Sequence, residues 1–151
     1  MVIEKAKTAD LATIKICARH AYQIYIKDIG REPAPMVADF AAQIAEGIIH
    51  VARDNRGAVL GFICFYPRDD HMHLENVAVS PASHGLGVGK ALISFCEDQA
   101  RKTGLEAVEL YTNVRMTANL SLYPHLGYVE THRMQEDGFD RVFFRKELRA
   151  Q

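Results

Sequence analysis

Residues 74–100 read LENVAVSPASHGLGVGKALISFCEDQA, and the fold turns on how this stretch is parsed. It opens as the end of an apolar strand, passes through Ser80-Pro81, and then places Gly85, Gly87 and Gly89 with single apolar residues between them, ahead of Lys90. From Val88 the apolar residues Val88, Leu92, Phe95 and Cys96 recur at helical spacing, and Gly104 supplies a stop, so a helix is expected over 88–103. The order is strand, glycine loop, helix. Loops of this kind bring backbone close to an anion, because glycine accepts positive φ and carries no Cβ, while the helix N-terminus offers unpaired N–H groups.

Two common phosphate loops do not fit. A Walker loop ending at Gly89-Lys90 needs glycine at 84 and a hydroxyl at 91, where the chain has His84 and Ala91. A G-x-G-x-x-G dinucleotide fingerprint started at Gly85 meets Lys90, and started at Gly87 meets Leu92. What is left is a loop able to hold a pyrophosphate on backbone amides without a metal, with Lys90 available for charge.

Working outward, periodicity and punctuation give the remaining elements. VIEKA is a first strand; Thr8 or Asp10 caps a helix over 10–29 that Gly30 ends; 36–46 form a second helix ended by Gly47. IIHVAR and VLGFICFY flank the turn DNRG, and HMHLENVAV is the strand entering the glycine loop. AVELYT is another strand, 117–126 a short helix stopped by Gly127, and YVETHRM with FDRVFFRKEL closes the chain as a hairpin. Antiparallel strands followed by one strand–loop–helix–strand crossover argue a single α+β domain rather than a doubly wound sheet.

The 151 residues suffice for one domain with a real core. A formal charge of −1 gives no electrostatic reason for nucleic acid or an acidic membrane as partner. The amino terminus lacks the apolar core of a signal peptide, and no run of about 18 apolar residues is present, so a cytoplasmic protein with no membrane association is expected. Cys17, Cys64 and Cys96 lie far apart among apolar neighbours and read as buried small hydrophobes.

On these motifs the chain resembles the GCN5-related N-acetyltransferases. Their acyl-CoA motif is a strand ending in V-x-P followed by Q/R-x-x-G-x-G/A, here His84-Gly85-Leu86-Gly87-Val88-Gly89, and NVRMTANLSLYPHLGYVET is similar to their second motif, a helix carrying a tyrosine to the coenzyme thiol. The resemblance covers essentially the whole chain. It implies a mixed, mostly antiparallel central sheet of about seven strands flanked by about four helices, and acetyl-CoA as cosubstrate without a metal. By the same resemblance, Val77, Ala78 and Val79 pair with the pantetheine arm, an N–H near Asn76–Val77 takes the thioester oxygen, and the amides of 85–90, including Leu86, Val88 and Lys90, hold the pyrophosphate. Gly87 and Gly89 are expected where a β-carbon would keep phosphate away or where φ must be positive.

Acetyl transfer to an amine requires a neutral nucleophile, a donor to the carbonyl oxygen and a proton for the leaving thiolate. Alkyl amines have pKa values of about 10, so a carboxylate, or water held by one, must help deprotonate them. Tyr123 is the expected acid, with Asn119 one turn earlier on the same face and Ala118, Leu122 and Leu126 as the neighbouring core stripe. Glu75 is the leading base, with Glu109 and Tyr111 as other candidates. His71 and His73 alternate onto one strand face, but without a third ligand at a recognisable spacing they read as exposed strand residues, and no metal is assigned.

The chain departs from the family pattern at three places. His84 stands where Gln or Arg is usual; Met116 stands where many members have a coenzyme-binding Asn, a role carried here onto Asn119; and Pro124 follows the expected acid, removing a helical hydrogen bond. The resemblance also implies an acceptor site between Tyr22, Tyr25, Asp28 and REPAP on one side and HRMQEDGFD on the other, with Asp28, Glu32, Glu136 and Asp137 available to attract a cationic amine. A small-molecule amine is the favoured acceptor, with a peptide or protein amine, or a silent acyl-CoA-binding regulator, as alternatives. The alternating last strand is the element expected to pair in a homodimer.

Overall fold

The computed structural model describes residues 1–148 as one seven-stranded sheet in the order β1-β2-β3-β4-β5-β7-β6. The strands are β1 (Val2–Lys5), β2 (Ile49–Arg53), β3 (Val59–Arg68), β4 (His71–Val79), β5 (Ala107–Asn113), β6 (Val129–Glu136) and β7 (Phe139–Glu147). The helices are α1 (Leu11–Tyr22), α2 (Ile26–Ile29), α3 (Phe40–Ala45), α4 (Val88–Lys102) and α5 (Thr117–His125). Only β4 and β5 run parallel, joined by the α4 crossover; the other neighbours are antiparallel. Among the described residues no helix is long and apolar enough to cross a membrane.

Both faces of the sheet are covered, but unequally. Ile63, Phe65, Met72, Leu74, Val108, Leu110, Val142 and Phe144 form one core with α4 residues such as Leu92 and Cys96. Phe62, Cys64 and Ala78 pack on the other face against Ile14, Cys17 and Tyr22 of α1 and Phe40 of α3. Cys17, Cys64 and Cys96 are all buried, and burial pushes their thiols upward in pKa, which keeps them protonated.

Several expected elements change on folding. The helix over 10–29 is broken by a 3₁₀ turn at Gln23–Tyr25 before α2 ends on Gly30, whose φ is 90°. Asp10 does not cap it; its carboxylate accepts from the Lys7 N–H and pairs with the Arg53 guanidinium, which holds the carboxyl below its usual pKa. The helix expected over 36–46 begins only at Phe40, because Pro33 and Pro35 spend the preceding residues in a 3₁₀ turn and Asp39 caps α3 through the Ala42 N–H. On α5 the expected apolar stripe rotates: Ala118 is exposed and Leu122 is 42% exposed, while Leu120 and Tyr123 face the core. The last strand β7 is not an edge, since β5 and β6 pair with its two sides, so the free edges of the sheet are β1 and β6.

Two local features of β4 create the site. The first is a bulge: Cys64 pairs with Asn76 and Phe65 with Leu74, so Glu75 has no partner on β3. One extra residue inverts the alternation. Met72 and Leu74 face the α4 core before the bulge; afterwards Val77 and Val79 take that side and Ala78 turns to the α1 side. The second is separation: β4 pairs with β5 only at His71–Ala107, Met72–Val108 and His73–Glu109. Beyond that point β5 stays with β7, and the two parallel strands part around a slot.

Candidate active site

A cavity of about 350 Å³ occupies the slot. Its lining comes from both faces of the sheet, Leu110 and Tyr123 from the α4 core and Tyr22 and Met116 from the α1 core, with Glu75, Asn76 and Val77 of β4 between them.

Glu75 is placed there by the bulge. Its Oε1 accepts from the Tyr66 hydroxyl at 3.1 Å and its Oε2 from Gln43 Nε2, with Cys64 Sγ at 3.9 Å. Burial and the neighbouring Glu75 carboxylate raise the Tyr66 hydroxyl to about 12, so it remains a donor. Asn76 is buried and held through both atoms of its amide: Nδ2 donates to the Pro35 carbonyl at 2.8 Å, and Oδ1 lies 2.8 Å from the Tyr22 hydroxyl, which also lies 2.9 Å from the Val77 carbonyl. That polar anchor holds α1 and the proline loop against the bulge. It sits in the apolar run of LENVAV, where a lone Asn was the available signal; its role was not read from the sequence.

Tyr123 is 4% exposed, packed edge-on to Tyr128 and against Phe144, and it lines the cavity. Its hydroxyl makes no hydrogen bond among the described residues, and burial raises its pKa, so it is a neutral donor at ordinary pH. Asn119 lines the same cavity, as the one-turn spacing required, but its Nδ2 already donates to Thr112 Oγ1 at 3.1 Å. Pro124 leaves the helix intact through His125, with the Leu126 N–H reaching the Leu122 and Tyr123 carbonyls. Glu109 is tied to the Arg145 guanidinium away from this cavity; Tyr111 lines it.

The glycine loop lies past Val79, at the far end of β4 from the bulge. Gly85 and Gly87 have φ of 80° and 75°, and a Cβ at either would meet nothing within 4 Å. Gly89 differs from expectation. It is helical, and its added Cβ would touch Val79 Cγ2 at 3.4 Å, so its role is close packing of α4 on β4. Among the described residues the N–H groups of Gly87, Val88, Gly89 and Lys90 have no acceptor; the first amide to close a helical bond is Ala91, onto the Gly87 carbonyl. Four successive open donors at the N-terminus of a 15-residue helix are an anion cradle by their chemistry. His84 and Lys90 are exposed beside it, and the His84 ring lies 5.6 Å from that of His20.

The histidines correct the sequence reading. His71 and His73 are 9% and 5% exposed, not surface residues, and burial lowers the His73 pKa to about 4, with Arg68 and His71 adding repulsion. His71 does meet two further oxygen donors, Asp70 and Glu109, but the Arg145 guanidinium already pairs with both carboxylates. Of the acids expected to attract an amine, Asp28, Glu32 and Glu136 lie outside the cavity lining while Asp137 is part of it, and Glu136 and Asp137 lie 3.2 and 3.6 Å from Arg141 Nη1. Arg141 itself was missed. It lines the cavity, and in the alternating segment DRVFFRKEL nothing distinguishes it from a solvated strand charge.

Comparison with known proteins bears on the whole assembly. The chain is 32% identical over 108 residues to "Probable N-acetyltransferase 14" of Xenopus tropicalis, covering 70% of this chain and 52% of the relative, so it spans about half of that protein's length. It is 28% identical over 147 residues to "L-amino acid N-acyltransferase MnaT" of Escherichia coli, covering 91% and 85%. Its fold is similar to that of yncA from Salmonella typhimurium, solved with its cofactor acetyl-CoA, with a TM-score of 0.69, 24% identity and coverage of 100% and 95%. The profile of the acetyltransferase (GNAT) family matches residues 17–128, and the chain belongs to that family.

Proposed function

We propose that this protein transfers the acetyl group of acetyl-CoA to a primary amine on a small molecule, by direct attack within a ternary complex. The observation that carries the reading is the slot between β4 and β5, which brings a carboxylate, Glu75, and a buried neutral hydroxyl, Tyr123, to one cavity while the open amides of the glycine loop stand at the end of the same strand. The family membership and the cavity beside Glu75 and Tyr123 both support it.

The residues divide the work. The amides of 87–90 bind the pyrophosphate, with Gly85 and Gly87 giving the positive φ that turns those donors outward. The backbone of Val77, Ala78 and Val79 lies on the strand that lost its parallel partner, and the N–H beside the bulge is the donor to the thioester oxygen. Glu75 takes the proton of the ammonium, and the freed nitrogen pair attacks the carbonyl carbon. As the C–S bond breaks, the Tyr123 hydroxyl donates its proton to the sulfur to complete the thiol; the acetylated nitrogen sheds its remaining extra proton, which restores the Tyr123 hydroxyl, and the proton on Glu75 passes to solvent. Cys64 and Cys96, held as thiols by burial, offer no covalent route.

Two titrations test this reading. Acetyl-CoA is expected to bind and raise the melting temperature where ATP and NAD do not, and a panel of small amines is expected to elicit thiol release. Equal stabilisation by ATP, or binding of acetyl-CoA with no turnover on any amine, would sink the proposal.

A further inference from the structure

The acceptor side of the cavity has apolar walls from Ala34, Pro35, Ala38 and Phe139 beside the exposed Asp137, and Arg141 is the permanent cation among its lining residues. Arg141 is 8% exposed, and its guanidinium lies over the Tyr111 ring at 4.3 Å. Both of its carboxylate partners meet the same nitrogen: Nη1 is 3.2 Å from Glu136 and 3.6 Å from Asp137. Nε and Nη2 have no acceptor among the described residues. A guanidinium stays charged at every working pH, and Nε and Nη2 are not sealed off among the described residues, so this edge is open to an acceptor that displaces water from it. Two adjacent N–H groups in a plane match the two oxygens of one oxyacid group. The same guanidinium borders a second hollow of about 260 Å³, but Glu109 there is already held by Arg145.

We infer that Arg141 is the anion-binding residue of the acceptor pocket, and that the acceptor is an amine carrying an oxyacid group, carboxylate or phosphonate, on a largely apolar body. This rests on the acetyl-transfer reading above and narrows it. The acid group is held by the open edge of Arg141, the apolar part lies against Phe139 and the proline loop, and the amine faces Glu75. The cation excludes the same amine without its acid, because burying Arg141 against an uncharged group leaves its donors unpaired.

The test compares L-phenylalanine with L-phenylalaninamide and phenethylamine, and 1-aminoethylphosphonate with ethylamine, as acceptors for wild type, Arg141→Gln and Arg141→Lys, reading kcat/KM for thiol release. Wild type is expected to favour the acids over their neutral counterparts by about 100-fold, the scale of an unpaired buried charge. Arg141→Gln should close most of that gap by losing turnover of the acids, and Arg141→Lys should restore part of it. Preference for carboxylate over phosphonate, or the reverse, identifies which oxyacid fits. Comparable rates on acids and neutral amines in wild type overturn the inference and leave acetyl transfer standing; absence of transfer to every amine overturns both. The wild-type comparison needs no folded variant.

Discussion

The Tyr22 hydroxyl lies 2.8 Å from Asn76 Oδ1 and 2.9 Å from the Val77 carbonyl, joining the end of α1 to the strand immediately after its bulge. This contact spans 54 residues of sequence and sits beside the cavity, so it couples the acceptor wall to the strand assigned to the donor. Tyr22→Phe leaves the Asn76 carbonyl buried and short of a donor, which costs about 1–3 kcal/mol. Thermal unfolding should show a loss of roughly 2–10 °C for a chain of this size, and the Michaelis constant for the amine should rise.

Glu75→Gln keeps the shape and the contact with Tyr66 while removing the base. The expected result is a fall in kcat/KM of about 100-fold or more at neutral pH, partly recovered at high pH where the amine deprotonates unaided. Steady-state rates across pH decide this; a variant as active as wild type at neutral pH would remove Glu75 from the mechanism.

Gly87→Ala separates ligand space from backbone strain. The residue is left-handed with φ of 75°, so alanine costs about 1–2 kcal/mol. Its Cβ has open space in the protein itself, so any further effect must come from what approaches the loop. Calorimetric titration should show acetyl-CoA affinity reduced well beyond that strain, with the far-UV spectrum unchanged. Unaltered affinity would mean that the pyrophosphate lies elsewhere.

The buried His73 makes the fold sensitive to acid. Its folded pKa is lowered to about 4, chiefly by burial, against about 6.5 in the unfolded chain. Between those values the unfolded state binds a proton that the folded state refuses, so stability rises with pH across that window and is lost as pH falls through it. His50, also lowered by burial, acts in the same direction. Denaturation at pH 7 and at pH 4.5 should differ by about 2–3 kcal/mol from His73 alone, and His73→Leu should reduce the difference. An unchanged difference in that variant would locate the acid sensitivity at other groups.

The sequence made some of this legible and hid the rest, for physical reasons. The glycine loop and the strands around it were readable because backbone conformation and local periodicity are encoded in neighbouring residues: β4 spans His71–Val79 and α4 starts at Val88, as the apolar pattern required. The bulge at Glu75 was not, because it exists only relative to β3, and the same is true of the separation of β4 from β5. The rotation of α5 that exposes Leu122 depends on how the helix meets β6 and β7. Arg141 is set apart from the other strand charges only by Tyr111, distant in sequence, under its guanidinium and by the cavity that it lines. Loop-borne donors are local; acceptor specificity is tertiary.

Tyr123→Phe asks what the buried hydroxyl does. The ring keeps its contacts with Tyr128 and Phe144, and the lost hydroxyl made no hydrogen bond among the described residues, so stability should change little. Turnover should fall about 100-fold with acetyl-CoA affinity intact, measured by single-turnover mixing and by titration. A variant with full turnover would remove the acid from the scheme.

The most direct test of the central claim is a stoichiometric count. Wild-type protein is mixed with acetyl-CoA and an accepted amine, and free thiol, acetylated amine and protein mass are measured together over a single turnover. Direct transfer in the slot predicts one acetylated amine for each thiol released and no acetylated protein at any time. Thiol released without acetylated amine, or an acetylated protein that forms before the amine is added, would contradict it.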